Sequence, residues 1–131
     1  MEKTNFEKLE IYALAEKLSD HVWEIVNDWN KLAQDTVGKQ LIRSADSIGA
    51  NIAEGSGRGS DQDYKRFLRM ARGSLNETRH WLRRAFKHKL LTEGQIKDLT
   101  PTIEILTPKL NAYIGAIGKY KTKSEDQSPK A

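Results

Sequence analysis

The chain has 131 residues, with 22 Lys or Arg against 18 Asp or Glu, a formal charge of +4 and a sequence pI of about 9.3. It has no Cys, which excludes a disulfide framework, a thiolate zinc site, an iron–sulfur centre and a cysteine nucleophile. At 37% apolar and 31% charged it reads as one domain, long enough to build a core without staples.

The first residues, Met1 to Glu7, lack the basic and apolar regions of a signal peptide. The uncharged stretch from Leu110 to Gly118 is far shorter than the about 20 residues a membrane span needs. A cytoplasmic protein with no membrane partner is expected. Apolar residues recur at steps of three and four along the chain, the period of helices packed by one face, so the fold class is all-α. Four helices are expected, at about 5–29, 37–55, 60–90 and 92–118. In the first, Ile11, Leu14, Leu18, Val22, Ile25 and Trp29 form the apolar stripe. In the second it is Leu41, Ala45, Ile48 and Ile52, ending at Gly55, Gly57 and Gly59, glycines that permit a left-handed helix end.

Ser60 is placed to cap the third helix, with Asp61 and Asp63 suited to the positive end of its dipole. Its core stripe is Tyr64, Leu68, Ala71, Leu75, Thr78, Leu82 and Ala85. The fourth helix carries Leu99, Ile103, Leu106, Leu110, Tyr113 and Ile117, interrupted by Pro101 and Pro108. Each proline lacks an amide donor, so a kink is expected, or a fresh start with Thr100 as cap and Pro101 at the first helical position. Short connections make these an up-down-up-down four-helix bundle over residues 1–119. Residues 120–131 have no apolar anchor and read as a disordered tail. Gly49, Ala53, Ala71 and Gly73 are small enough to allow close helix approach.

The small net charge conceals a strong polarity. Residues 1–57 hold 6 basic and 10 acidic side chains, or −4; residues 58–90 hold 10 and 3, or +7; the rest hold 6 and 5, or +1. Seven of the eight arginines lie between Arg58 and Arg84. At 100° per residue, Lys65, Arg69, Arg72, Arg79, Arg83 and Lys87 fall within an arc of about 80° beside the buried face of the third helix. Such a stripe suits a run of phosphates, because the guanidinium fork pairs two phosphate oxygens at once. Arg66 widens the field and Arg58 adds to it at the helix entrance. Two other uses stay open: a solvated face, or neutralisation of the acidic first helix within one bundle or between copies.

Other motifs carry less. The run Gly55-Ser56-Gly57-Arg58-Gly59-Ser60 follows no strand and lacks the Lys-Ser or Lys-Thr pair of a phosphate loop, so it reads as a helix-ending turn. Glu77 and His80 have the Glu-x-x-His spacing of di-iron bundles, but only one such pair exists and it faces away from the core. No catalytic, cofactor or metal site is expected. Phe67, Met70 and Trp81 broaden the apolar arc of the third helix and are candidate oligomer-interface residues.

The run Leu41 to Gly55, containing Asn51-Ile52-Ala53-Glu54-Gly55, followed by Arg58, Ser60, Tyr64, Phe67-Leu68 and Ala71-Arg72-Gly73-Ser74-Leu75, carries a further signal. With Phe6, Leu9, Tyr12 and Ala15 it resembles the bacterial four-helix-bundle proteins associated with the intervening sequence of 23S ribosomal RNA. The resemblance covers about residues 5–118. It implies a small non-enzymatic bundle assembling into a ring-like homo-oligomer, commonly a pentamer. A related branch, the accessory protein of diversity-generating retroelements, binds a reverse transcriptase and RNA. The expected function is therefore an oligomeric bundle that binds RNA through the basic third helix, or alternatively a scaffold that binds a protein such as a reverse transcriptase. Within the box, Asn51 and Glu54 are expected to bond the backbone and Arg58, setting the entry of the third helix.

Overall fold

A computed structural model of the chain describes residues 6–118; the expected tail lies outside the described residues. Among them there is no strand, and four long helices account for most of the chain: α1 (Glu10–Asn27), α2 (Lys39–Ser56), α3 (Asp61–Lys87) and α4 (Glu93–Ala116). Every neighbouring pair is antiparallel, as the cross-helix contacts require. Ser19 of α1 bonds Asp46 of α2, Ser44 of α2 meets Thr78 of α3, Arg79 of α3 meets Thr107 of α4, and Lys109 of α4 pairs with Glu10 of α1. The backbone of α1 approaches α2 and α4, and that of α3 approaches the same two. Thus α1 and α3 stand on one diagonal of the bundle, α2 and α4 on the other.

Each helix buries the stripe its periodicity marks. Leu18 and Val22 of α1, Leu41, Ile48 and Ile52 of α2, Leu68 and Leu75 of α3, and Leu106 and Leu110 of α4 are sealed in the centre. Full burial of one such side chain contributes about 1.5–3 kcal/mol. The core holds one polar junction. Thr78 Oγ1 lies 3.0 Å from Ser44 Oγ, and their protons are shared with the carbonyl oxygens of Ser74 at 2.8 Å and Leu41 at 3.1 Å. Each hydroxyl also has a carbonyl of its own helix, so the Ser44–Thr78 contact alone is the part of this junction that links α2 to α3.

Several boundaries differ from expectation. The second helical segment starts before Val37, because Asn30 accepts the amide of Ala33 at 3.0 Å and opens a helical turn, Lys31–Ala33. A π-helical stretch, Gln34–Gly38, leads from it into α2, and Gly38 fits there because a Cβ would stand 2.7 Å from Val26. The expected break at Pro101 is absent. α4 is continuous through both prolines, starting at a Thr92–Gln95 capping box. Both prolines lie on the exposed side, where the carbonyls they leave unbonded face water. The Thr before each donates its hydroxyl to the carbonyl one turn back, Thr100 to Ile96 and Thr107 to Ile103.

The glycines also act differently from expectation. Gly57 caps α2 at φ −90°, so no left-handed residue is needed there. Gly55 is the position that demands glycine, since a Cβ would fall 2.8 Å from the Cβ of Phe67 and 3.0 Å from the Tyr64 ring. At Gly73 a Cβ would enter open space, so that residue does not set helix approach.

Candidate nucleic-acid interface

The basic helix α3 opens as its sequence implies: Ser60 Oγ accepts the Asp63 amide at 3.2 Å. Its entry is locked by the preceding box. Asn51 donates to the Ser47 carbonyl, and Glu54 holds Arg58 at 2.6 Å. From there the Arg58 guanidinium reaches over the Phe67 ring, 4.8 Å from its centroid, and Arg66 lies over the same ring at 4.7 Å while pairing with Asp63 at 3.5 Å. Cation–π attraction and a carboxylate thus hold both arginines to the fold.

Farther along α3 two more cations are tethered. Arg72 donates to Asn111 at 3.1 Å and Arg79 to Thr107 at 2.8 Å, both on α4. The other four candidates, Lys65, Arg69, Arg83 and Lys87, have no carboxylate within ion-pair distance among the described residues. The structure therefore divides the eight expected binders into two paired with carboxylates, Arg58 and Arg66, two bonded to neutral side chains, Arg72 and Arg79, and four with no ion-pair partner among the described residues. Along the axis, Lys65 to Lys87 spans about 33 Å at 1.5 Å per residue.

Among the described residues no ion pair links α1 to α3, and the backbones of these two diagonal helices do not meet, so the acidic first helix is not paired with the basic stripe inside the bundle. The bonds of Arg72 and Arg79 to α4 went unread in the sequence; the signal was the row Thr100, Thr107 and Asn111, spaced seven and four on the face of α4 toward α3.

The three candidate interface residues separate. Phe67 is only 9% exposed and lies beneath the arginines. Trp81 is half-buried, its indole donating to Glu77 at 3.0 Å and its ring edge-on to His80. Met70 is 46% exposed. Sequence reasoning missed a groove between α3 and α4, about 450 Å³, lined by Leu82, Phe86, Ile96 and Ile103 with Arg79 and Arg83 at its rim. Phe86 falls one turn beyond Leu82 on the edge of the basic stripe, which was the available clue.

Among the described residues no cluster of three or more metal-ligating side chains occurs, and no helix is long and apolar enough to cross a membrane.

The model of the family described as 23S rRNA-intervening sequence protein matches residues 7–112. A crystal structure of a protein of unknown function from the S23 ribosomal protein family of Bacteroides thetaiotaomicron is similar in fold. The two share 23% identity at a TM-score of 0.70, over 79% of this chain and 97% of that one. None of the curated proteins matches the chain.

Proposed function

The chain belongs to the 23S rRNA-intervening sequence protein family, and from that membership we propose that it is a non-enzymatic, self-associating bundle that binds RNA phosphates through α3. The observation that carries this reading is the set of cations with no ion-pair partner among the described residues, Lys65, Arg69, Arg83 and Lys87, on one helix. Such charges are open to a partner from outside the chain. Arg58 and Arg66, paired with Glu54 and Asp63, contribute less, and Arg72 and Arg79, bonded to neutral side chains, keep their charge beside the four. The family takes its description from an intervening sequence of 23S rRNA, which makes RNA the first polyanion to test.

Contacts of this kind read charge and spacing rather than bases. Four phosphates neutralised on a single strand give a slope of about −2.8 in log affinity against log salt, so a fourfold rise in salt weakens binding roughly fiftyfold. Anisotropy titrations with two labelled RNAs of unrelated sequence should give similar affinities and this slope. The pair Lys65→Glu and Arg69→Glu should cost at least tenfold with helicity unchanged. Undiminished RNA affinity in that variant would overturn the reading and favour the alternative, a scaffold whose basic face docks a protein such as a reverse transcriptase.

A further inference from the structure

Two opposite faces of the bundle are complementary. On the α1/α2 face, Glu16, Asp20 and Asp46 line a groove of about 370 Å³ floored by small residues, among them Gly49 and Ala53. Its acidity is felt by Tyr12, whose phenol is pushed above its ordinary value first by burial and then by Glu16, Glu7 and Asp20. One turn beyond Asp20 on the same face, Trp23 projects 59% exposed beside Ile42. The indole is one of five large apolar side chains left exposed among the described residues, with Leu32, Met70, Phe86 and Ile105, and it stands one turn from the acidic groove.

The α3/α4 face is its counterpart. The groove there is apolar, with Phe86 48% exposed at its mouth, and its rim is cationic through Arg79 and Arg83. Because α1 and α3 lie on a diagonal, one chain cannot bring its own acidic face to its own basic groove. A second copy can.

We propose that the α1/α2 face of one copy docks on the α3/α4 groove of the next, with Trp23 against Leu82, Phe86 and Ile103, and Glu16 and Asp20 against Arg79 and Arg83. This rests on the self-association in the function proposed above and names the surface that performs it. The two patches differ, so the contact is head-to-tail. It repeats around a ring where the rotation closes and along a filament where it does not. Apolar contact at the centre with charge at the rim is the usual anatomy of such interfaces. The assembly also divides the basic stripe: Arg79 and Arg83 face the neighbouring copy, and Lys65, Arg69 and Lys87 remain for phosphate, so the assembled form should show a salt slope of about −2.1 where a chain with Arg83 free gives about −2.8.

The test is mass in solution without nucleic acid, by sedimentation velocity at several concentrations, on full-length chains whose helicity matches the parent. All four positions are exposed, so the fold should tolerate the changes. The parent should sediment above its 14.9 kDa chain mass. The pair Glu16→Arg with Asp20→Arg should be monomeric, as should the pair Arg79→Glu with Arg83→Glu. An equal mixture of the two variants, or one chain carrying all four changes, should recover the higher mass because opposite charges face again. A monomeric parent would overturn both the interface and the self-association. A heavy parent whose mass survives either swap, or is not recovered by the mixture, would overturn this interface alone. RNA titrations are read separately and bear only on the phosphate surface.

Discussion

At Gly55 one hydrogen atom decides how closely α2 and α3 can meet. A methyl group there would stand 2.8 Å from the Cβ of Phe67, an atom fixed to backbone that no rotamer change can move. Gly55→Ala should therefore destabilise by roughly 1–3 kcal/mol, read as a lower urea midpoint. The opposite sign is expected at Lys89. It sits at φ 62°, with the Lys89 amide bonded to Phe86 and the Leu90 amide to Ala85 in the Schellman pattern that ends α3. Lys89→Gly removes the steric cost of the left-handed conformation and should raise stability by about 1 kcal/mol, seen as a higher thermal midpoint. A third residue titrates. The Tyr64 phenol lies 3.0 Å from that of Tyr113, and burial first, then that bond, raises its pKa above the ordinary 10.0. A folded value above the unfolded one means this stability is complete below pH 10 and declines as the pH climbs past it. Denaturant midpoints measured from about pH 9 to 11 should fall, and Tyr64→Phe should flatten the decline.

At the scale of elements, α3 was the most legible. Its start at Ser60, its core stripe and its basic arc follow from local spacing, because capping and periodicity depend on residues within two turns. α4 was the least legible, because a proline does not end a helix whose remaining turns are held by packing and whose unbonded carbonyls face water. It still carries the cost. Pro101→Ala should restore the missing amide bond and give a net gain of roughly 2 kcal/mol, the helix-interior penalty less the unfolded-chain entropy that proline removes. Thermal unfolding monitored by helicity checks this. The capping box makes the converse case: Thr92→Ala should cost about 1 kcal/mol by leaving the Gln95 amide unpaired.

For the whole molecule, the −4 and +7 segments become meaningful through the square arrangement of helices. If charge on α3 were quenched inside the bundle, RNA affinity would depend little on salt; the diagonal predicts the steep slope given above. Composition and periodicity alone determined the all-α class, four amphipathic helices, the cap at Ser60 and the clustering of arginine on α3, each a property of residues close in the chain. Tertiary structure decided which cations are spent. Arg58 and Arg66 are drawn to Phe67, Arg72 and Arg79 to α4, and α1 is held out of range. It also decided that an acidic face with Trp23 and a basic groove with Phe86 lie on opposite sides. Interaction between exposed charges is screened over about 8–10 Å in salt water, so which helix stands next to which sets the partners, and helical periodicity carries no record of that adjacency.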